Sequence, residues 1–241
     1  MRNFVLALMF CFSLTGCGGL IDSYFVETPT DTVQEKFEVA VESMQMKEYG
    51  KAVLLFTDIK DNYPFSPYVI EAELGLADAL YLNEDYLNAA DAYRDFESLH
   101  PRHEAIPYVL LQAARSLRLS YRSIDRASSN VQMAEEYASR VVNEYPDTEY
   151  AALAQEELKT CRRLLAEREV FISNVYWNMG NYEAAYNRYT RIMEQFPDVE
   201  QVYEYSKKQA EASYILFRKE SAEEIREQKE GSWKNWLKSW L

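Results

Sequence analysis

The residue types in this chain that could take part in the widest range of chemistry are cysteine and histidine. Its 241 residues include three cysteines and two histidines. Cys161 lies among leucines at helical spacing, a context that favours a small buried apolar side chain over a nucleophile. His100 and His103 share a short His-Pro-Arg-His segment without the set of thiols and carboxylates that closes a metal site. The sequence therefore predicts no catalytic residue, no metal site and no cofactor.

Cys17 has a different chemistry, because it ends an apolar segment near the start of the chain. A basic start at residues 1–3 is followed by an apolar run, residues 4–14, that only Ser13 interrupts. The pattern is typical of a secretory signal and is too short to cross a bilayer, which takes about 20 apolar residues. The run ends in Leu14-Thr15-Gly16-Cys17, which looks like the bacterial lipobox, where the signal is cut before an acylated cysteine. We expect residues 1–16 to be a signal peptide and Cys17 to be the lipidation site.

Acylation of Cys17 would hold the chain at a membrane, because two or more acyl chains anchor a protein stably. The next residue is Gly18 rather than the aspartate that retains known lipoproteins at the inner membrane, so the outer membrane is expected. The alternative is an ordinary signal peptide cut near Gly18-Gly19, which would leave Cys17 as an accidental thiol.

Composition and charge indicate the fold class and exclude one class of partner. Hydrophobic residues make up 48% of the chain, and only seven glycines and seven prolines interrupt stretches rich in Ala, Leu, Glu, Gln, Lys and Arg. Such stretches favour helices, so we expect an all-α fold. The formal net charge of −13 repels phosphate backbones, and no cluster of Lys and Arg reverses it locally. No nucleic acid partner is expected.

A recurring phrase indicates a repeat architecture. Its three well-formed copies lie at residues 48–64, 85–101 and 180–197, and each ends in proline. The phrase is the tetratricopeptide (TPR) signature, in which an aromatic residue opens the second helix of a pair and alanine lets the partner helix approach closely. A second aromatic residue fills the gap, and proline ends the unit. We therefore predict a TPR-like helical solenoid of about five helix pairs, whose stacked repeats form a curved protein-binding surface.

The solenoid is expected to occupy residues 33–230. Residues 17–32 are polar and lack helical periodicity, so we interpret them as a flexible tether after the lipidated cysteine. Asp31 or Thr32 is the expected N-cap of the first helix.

The later repeats are less regular. A degenerate fourth copy precedes Pro146, and residues 123–130 lengthen its hairpin. Residues 150–176 are predicted as one long helix or two abutting helices. A degenerate fifth pair, at residues 199–219 and 221–230, is predicted to cap the stack.

Several phrases go beyond a generic repeat. They are Tyr63-Pro64-Phe65-Ser66-Pro67-Tyr68, Ser123-Ile124-Asp125-Arg126, Tyr145-Pro146-Asp147-Thr148-Glu149-Tyr150 and the run from Leu164 to Arg188. In this order, behind a lipobox, they resemble the BamD (YfiO) family of outer-membrane assembly lipoproteins over roughly residues 30–200. The family's hairpin motif commonly reads Asp-Arg-Asp, whereas this chain has Ala127 in the third place.

The resemblance implies a scaffold. Members of this family are the lipoprotein component of the β-barrel assembly machinery, at the periplasmic face of the outer membrane. By this resemblance the first repeats receive unfolded outer-membrane β-barrel proteins, and the last repeats bind the POTRA domain of BamA. The alternative, of another functional class, is a periplasmic TPR lipoprotein that acts as an adaptor in cell-envelope or peptidoglycan maintenance.

Five residues are candidates for partner binding. Phe37, Val41 and Met44 form an apolar stripe at helical spacing, and Tyr81 occupies a groove position of the second unit. We predict that these four partly line a concave groove for hydrophobic barrel-strand segments, and the alternative is core packing. Arg188 matches an arginine of the family pattern and is predicted to meet a carboxylate of the BamA domain. The alternative for Arg188 is a solvated charge.

Residues 231–241 form a tail that holds three of the four tryptophans. Trp233, Trp236, Leu237 and Trp240 fall at i, i+3, i+4 and i+7, an amphipathic pattern suited to a membrane interface or a partner. The alternative is that the tail folds back onto an exposed end of the solenoid.

Overall fold

A computed structural model describes residues 32–231 of the chain together with Leu237 and Trp240. These residues form nine α-helices and no β-strand, which confirms the predicted all-α class. The helices are α1 Val33–Gln45, α2 Tyr49–Asn62, α3 Val69–Leu82, α4 Tyr86–Leu99, α5 Ile106–Leu119, α6 Ser129–Glu144, α7 Glu149–Asn178, α8 Tyr182–Gln195 and α9 Glu200–Glu230. The predicted signal peptide, tether and most of the tail lie outside the described residues.

The first helix begins where the sequence predicts. The Thr32 hydroxyl accepts a hydrogen bond from the Glu35 amide at 3.2 Å, and the Glu35 carboxylate accepts one from the Thr32 amide at 3.1 Å. This reciprocal pair is a capping box, which satisfies two amides that the helix start leaves unpaired. Of the two predicted caps, Thr32 is therefore the one used.

Successive helices form hairpins that stack side by side. The pairs are α1 with α2, α3 with α4, α5 with α6, and α7 with α8, and α9 packs against α8. This arrangement confirms a TPR-like solenoid. Residues 149–178 form a single helix of 30 residues, so the first of the two alternatives for this stretch holds. The predicted fifth helix pair is wrong, because α9 continues without a break through Ser221, which is helical like its neighbours.

The core is built from large apolar side chains that meet alanines. Ala52, Ala89 and Ala185, at the small position of the three well-formed repeats, are each 0% exposed. Phe56, Tyr93 and Tyr189 occupy the following aromatic position and are 2%, 0% and 0% exposed respectively. The predicted division of roles between small and aromatic residues is therefore confirmed.

Gly75 fulfils the small-residue role between the first two repeats. A Cβ atom at this position would lie 2.7 Å from Cζ of the buried Phe56 ring. Overpacking of this kind costs about 1 to 3 kcal/mol, while the higher helix propensity of alanine stabilises the helix by about 1 kcal/mol. We therefore expect Gly75→Ala to lower the free energy of unfolding by about 1 kcal/mol in urea titrations. Gly50→Ala is the matched control, because nothing lies within 4 Å of that Cβ, and it should leave stability unchanged or raise it.

Three of the helix hairpins turn through a left-handed residue. Lys47, Glu84 and Gly180 occupy the same place in the α1–α2, α3–α4 and α7–α8 turns, with φ values of 62°, 61° and 76°. A side chain is strained in this region and glycine is not. We expect Lys47→Gly and Glu84→Gly each to raise the free energy of unfolding by about 0.5 to 1 kcal/mol, measured by urea unfolding. Gly180→Ala should lower the free energy of unfolding by a similar amount. If all three variants were as stable as the parent chain, the strain assigned to these positions would be wrong.

Candidate partner-binding surfaces

A half-buried carboxylate joins two helices of the second repeat and one helix of its neighbour. The Oδ1 atom of Asp78, in α3, accepts hydrogen bonds from the Tyr93 hydroxyl of α4 at 2.6 Å and the Tyr108 hydroxyl of α5 at 2.7 Å. Burial raises the pKa of Asp78, and the two hydroxyl donors oppose this rise. Gln112 and Arg115 continue the network along α5, because Gln112 donates to the Tyr108 hydroxyl at 3.2 Å and Arg115 donates to Gln112 at 3.1 Å.

The same arrangement recurs in the last hairpin with an amide in place of the acid. Asn174 in α7 accepts hydrogen bonds from the Tyr189 hydroxyl of α8 at 2.5 Å and the Tyr205 hydroxyl of α9 at 3.0 Å. In both cases the first tyrosine follows the acceptor by 15 residues. The buried tyrosines need an acceptor because an unpaired buried hydroxyl is costly. We call these two sets of three residues the tyrosine hubs.

The first repeat lacks both the polar acceptor and the first tyrosine of this hub. Val41 stands where Asp78 and Asn174 stand in the later repeats, and Phe56 stands where Tyr93 and Tyr189 stand. Since neither polar partner is present, no hydroxyl is left unsatisfied. Acceptor and donor are therefore both present in the second and fourth hairpins and both absent in the first, and this correlation could have been found by aligning the repeats with one another.

The four candidate groove residues differ in their packing. Phe37 and Met44 pack against the core cluster of the first two repeats, and the Phe37 ring stacks on Tyr68 at 5.2 Å. Tyr81 packs against the next cluster, with its ring 5.8 Å from that of Tyr86 in the same hairpin. Val41 is 36% exposed. Contacts with the core clusters thus cover part of the side chains of Phe37, Met44 and Tyr81, as the alternative of core packing predicts.

Tyr108 and Tyr150 form an open aromatic surface between the third and fourth hairpins. Their rings lie 5.8 Å apart on α5 and α7, and they border a depression of about 480 Å³ together with Glu104 and Ala105. Tyr108 also belongs to the first tyrosine hub, so the hub fixes the position of this ring. The surface was missed in the sequence because the two tyrosines are far apart along the chain.

Arg188 lies on α8 and faces α7. Its guanidinium group is 3.3 Å from the carboxylate of Glu169 and 4.9 Å from the centre of the Tyr176 ring. The Arg188 side chain remains 31% exposed. An ion pair and an aromatic face therefore hold the guanidinium of Arg188 in place, while part of the group stays open to solvent.

An apolar stripe runs along the last third of α7 and onto its C-cap residue, Met179. Phe171, Val175 and Met179 are spaced four residues apart and are 39%, 41% and 74% exposed. Isolated exposed apolar residues are ordinary, but a row on one helix face indicates a contact surface. The sequence did not separate this row from the core, because α7 carries apolar residues on more than one face.

Arg162 connects the third repeat to the end of the fourth. Its guanidinium donates to Glu135 of α6 at 2.9 Å, to the two carboxylate oxygens of Asp198 at 2.7 and 2.5 Å, and to the Gln195 carbonyl at 3.0 Å. These carboxylates raise the pKa of Arg162, and in return Arg162 lowers the pKa of Asp198. The sequence analysis missed this junction, since its acceptors are 27 to 36 residues away.

The residues first considered for chemistry lie in structural settings. Cys161 is 0% exposed in the core of α7, where burial raises the pKa of its thiol to about 12. His100 Nε2 lies 2.6 Å from the Glu73 carboxylate, and the rings of His100 and His103 both contact Phe96. Within residues 32–231 and the two described tail residues, no group of three or more metal-ligating side chains is found.

The predicted attachment and tail residues are only partly described. Cys17, Trp233 and Trp236 lie outside the described residues, whereas Trp240 is in a turn and is 77% exposed. None of the helices that the structure describes is both long enough and apolar enough to span a bilayer.

Stacked helix pairs, small residues at the helix crossings and the recurring tyrosine hubs define a repeat protein of the TPR type. Comparison with known sequences then gives the particular family. The chain belongs to the YfiO family of outer membrane lipoproteins, whose sequence profile matches residues 29–228.

Several relatives carry a functional name. The outer membrane protein assembly factor BamD of Pasteurella multocida (strain Pm70) is 26% identical over 214 residues, which cover 85% of this chain and 80% of that protein. BamD of Rickettsia prowazekii (strain Madrid E) is 26% identical over 183 residues, covering 76% and 72% of the two chains. A thermophilic TPR protein of Thermus thermophilus is similar in structure with a TM-score of 0.41, at 17% identity and with 74% and 98% of the two chains covered.

Proposed function

We propose that this protein is a lipoprotein scaffold subunit of the outer-membrane β-barrel assembly machinery, acylated on Cys17 and held at the periplasmic face of the outer membrane. The observation that carries the proposal is the family match, which spans residues 29–228 and so includes all the hairpins. The relatives named as assembly factors align over most of their own length as well.

The role we propose is to hold other proteins. The first repeats would receive unfolded outer-membrane β-barrel segments, and the last repeats would bind the POTRA domain of BamA. The aromatic surface of Tyr108 and Tyr150, between the third and fourth hairpins, and the apolar row Phe171, Val175 and Met179 at the end of α7 supply two partly exposed apolar surfaces. Apolar contacts framed by polar groups are what protein partners use.

Co-purification tests this proposal most directly. The full chain carrying an affinity tag is expressed in the bacterium it comes from. The protein is purified from the cell envelope, and the proteins recovered with it are identified. We expect a stoichiometric complex with BamA. Recovery of a cell-wall synthase in place of BamA would instead support the adaptor of cell-envelope or peptidoglycan maintenance.

Arg188 is the residue that we propose orients the BamA contact. Glu169 and Tyr176 restrict its guanidinium, so less side-chain freedom is lost when a partner carboxylate binds its open side. We expect Arg188→Glu to reduce co-purification with BamA at least about tenfold. Arg191→Glu makes the same charge change three residues later on an exposed position of α8 and should have little effect.

A second variant separates contact from folding. Combining Arg188→Glu with Glu169→Lys reverses the ion pair and so restores it inside the chain. If this double variant regained BamA binding, the role of Arg188 would be to stabilise the hairpin, and the proposed contact would be wrong.

Substrate contact is tested by crosslinking, at Val41 in the first repeat and at Tyr150 on α7. We expect Tyr150→Ala, together with Val41→Ala, to reduce crosslinking of an unfolded barrel-strand peptide, because the first removes a half-buried ring at the open depression and the second removes exposed apolar surface. Phe37→Ala and Tyr81→Ala complete the set of candidate residues, but they also remove core contacts, so their effect must exceed their loss of stability. Leu54→Ala serves as the control, since Leu54 is 72% exposed and belongs to neither surface.

A further inference from the structure

Four connections between hairpins in the described part of the chain use one turn. They join α2 to α3, α4 to α5, α6 to α7 and α8 to α9. In each, the residue after the helix has φ between −127° and −132° and ψ between 48° and 55°, and proline follows it. The carbonyl of that first residue accepts a hydrogen bond from the amide three positions later, at 3.0 to 3.2 Å. Because the four backbones match, the residues at each place of the turn can be compared.

The third place of this turn holds an unusual residue in the first repeat. In the later turns it holds Arg102, Asp147 and Asp198, and all three are exposed. In the first turn it holds Phe65, whose side chain is 99% exposed. Charged residues are the ordinary choice for a position in water, and three of the four turns form with them. The fold therefore does not require a phenylalanine at this place.

The backbone around Phe65 is held in place from both sides. The centre of the Tyr63 ring lies 5.2 Å from Nζ of Lys36, and the centres of the Tyr68 and Phe37 rings are 5.2 Å apart, so both ends of the turn pack against α1. One proline directly precedes Phe65 and another follows it by two residues, and their rings restrict φ. An aromatic side chain on a fixed backbone loses little freedom when it binds, so Phe65 is a preorganised anchor.

A second exposed apolar residue stands beside the equivalent turn of the next hairpin. Leu99, the last residue of α4, is 59% exposed. The residues that end α2, α6 and α8 are Asn62, Glu144 and Gln195, so polar residues occupy this place in the other three turns. The α2–α3 and α4–α5 turns share one edge of the solenoid, because each joins a hairpin to the next. We call Phe65 and Leu99 the apolar edge.

Acidic residues flank the apolar edge. Leu99 borders a depression together with Lys60 of α2, so the ends of α2 and α4 lie next to each other. Residues 60–71, around the first turn, contain one basic and two acidic residues. Residues 95–104, around the second turn, contain one basic and three acidic residues. The surface thus combines projecting apolar side chains with a net negative charge.

We propose that the apolar edge docks a folded protein whose surface has an apolar pocket with basic residues at its rim. A single projecting ring fills a concave pocket, where it is fully desolvated, and buried aromatic side chains of this kind are typical binding hot spots. Basic residues at the rim would complement the acidic flanks. An anionic lipid surface would be repelled by these flanks, as would a second copy of this chain, whose net charge is −13.

This contact goes beyond the proposed function. Phe65 and Leu99 are not among the residues proposed above to contact barrel segments or BamA. An unfolded segment has no pocket to receive the Phe65 ring, so the partner must be folded. The inference therefore stands or falls independently of the scaffold role.

Photocrosslinking from position 65 identifies the partner. The full chain with p-benzoylphenylalanine at position 65 is expressed in the bacterium it comes from, and crosslinked species are identified by mass spectrometry. We expect a crosslink to a folded protein other than this chain. That protein is then purified, and its affinity for residues 17–241 with Cys17→Ser is measured by isothermal titration calorimetry.

Two variants test the anchors in the calorimetric assay. Phe65→Asp gives the first turn the residue of its counterparts Asp147 and Asp198, so the urea midpoint should not change. We expect Phe65→Asp to weaken binding at least about tenfold and Leu99→Glu about threefold or more. Added acids would strengthen a purely electrostatic attraction to a basic rim, so weaker binding identifies an apolar contact. Leu54→Asp is the matched control, because Leu54 is 72% exposed on α2, and it should bind like the parent chain.

Four outcomes would overturn the inference. One is the absence of any crosslinked protein. Another is flotation of the parent chain, but not of Phe65→Asp, with vesicles of phosphatidylethanolamine and phosphatidylglycerol, which would make the apolar edge a membrane contact. A crosslink only to a second copy, with a dimer in sedimentation that Phe65→Asp dissociates, would make it a self-association surface. The last is equal affinity of Phe65→Asp and Leu54→Asp for the crosslinked protein.

Discussion

Replacing Arg162 with alanine is expected to lower the free energy of unfolding by about 2 to 3 kcal/mol. One guanidinium group joins α6, α7 and the α8–α9 connection through Glu135, Asp198 and the Gln195 carbonyl. The Arg162 side chain is 26% exposed and that of Asp198 is 48% exposed. Solvent screening therefore limits the contribution of each ion pair to stability to about 1 kcal/mol. The expected loss comes from several acceptors that depend on a single donor.

Urea unfolding followed by far-UV circular dichroism measures this loss. Arg163→Ala is the matched control, because Arg163 is 56% exposed and has an ion pair with Glu167 at 3.6 Å within its own helix. That variant should change stability by at most about 0.5 kcal/mol. Arg162→Lys should fall between the two, since lysine keeps the charge but not the planar fork. Equal effects of Arg162→Ala and Arg163→Ala would contradict the proposed junction.

Replacing Asp78 with leucine is expected to cost about 2 to 3 kcal/mol, because the fully buried Tyr93 hydroxyl would lose its acceptor. Asp78→Asn keeps an acceptor oxygen, as Asn174 does in the second tyrosine hub, and should cost at most about 0.5 kcal/mol at neutral pH. Asp78→Val with Tyr93→Phe reproduces the pair Val41 and Phe56 of the first repeat. We expect this double variant to recover part of the stability that Asp78→Leu loses, in the same urea assay.

Asp78 also gives stability a pH dependence of defined sign. Burial raises its pKa above the ordinary value of 3.8, so the folded state binds a proton more tightly than the unfolded chain does. The stability from this proton is complete below pH 3.8 and is lost as the pH rises through the raised pKa. The free energy of unfolding of Asp78→Asn relative to the parent should therefore increase from acidic to neutral pH. A constant difference between the two proteins would refute this assignment.

The sequence predicted the fold well wherever one repeat resembled another. The alanine and aromatic positions recur at fixed spacing, so Ala52, Ala89 and Ala185 could be assigned to helix crossings from that spacing alone. The end of the solenoid was predicted less well. Residues 218–230 have strong helix formers and no glycine or proline, and nothing between residues 219 and 221 could end a helix. The uninterrupted α9 follows from that composition, and the expectation of a degenerate fifth pair was wrong.

The candidate surfaces were less accessible to sequence reasoning than the fold. The groove hypothesis gave an outward role to Phe37 and Met44, whose apolar character suits the core equally well. Periodicity identifies a buried face but cannot tell which apolar residue is left uncovered at its edge. The ion pairs of Arg162 and Arg188 join different helices, so their partners follow from packing and not from local spacing.

The unbroken α7 makes the second half of the solenoid behave as one mechanical element. Its first half buries Ala154 and Cys161, and its second half buries Leu165, Ala166 and Ser173. In most repeat proteins neighbouring units can open one at a time, because a loop separates them. Here α7 packs against the third hairpin around Ala154 and against α8 around Asn174, so opening either hairpin would strip part of this helix of its packing, and the third and fourth hairpins are expected to unfold cooperatively. A force applied to one of these two hairpins would therefore be transmitted along α7 to the other.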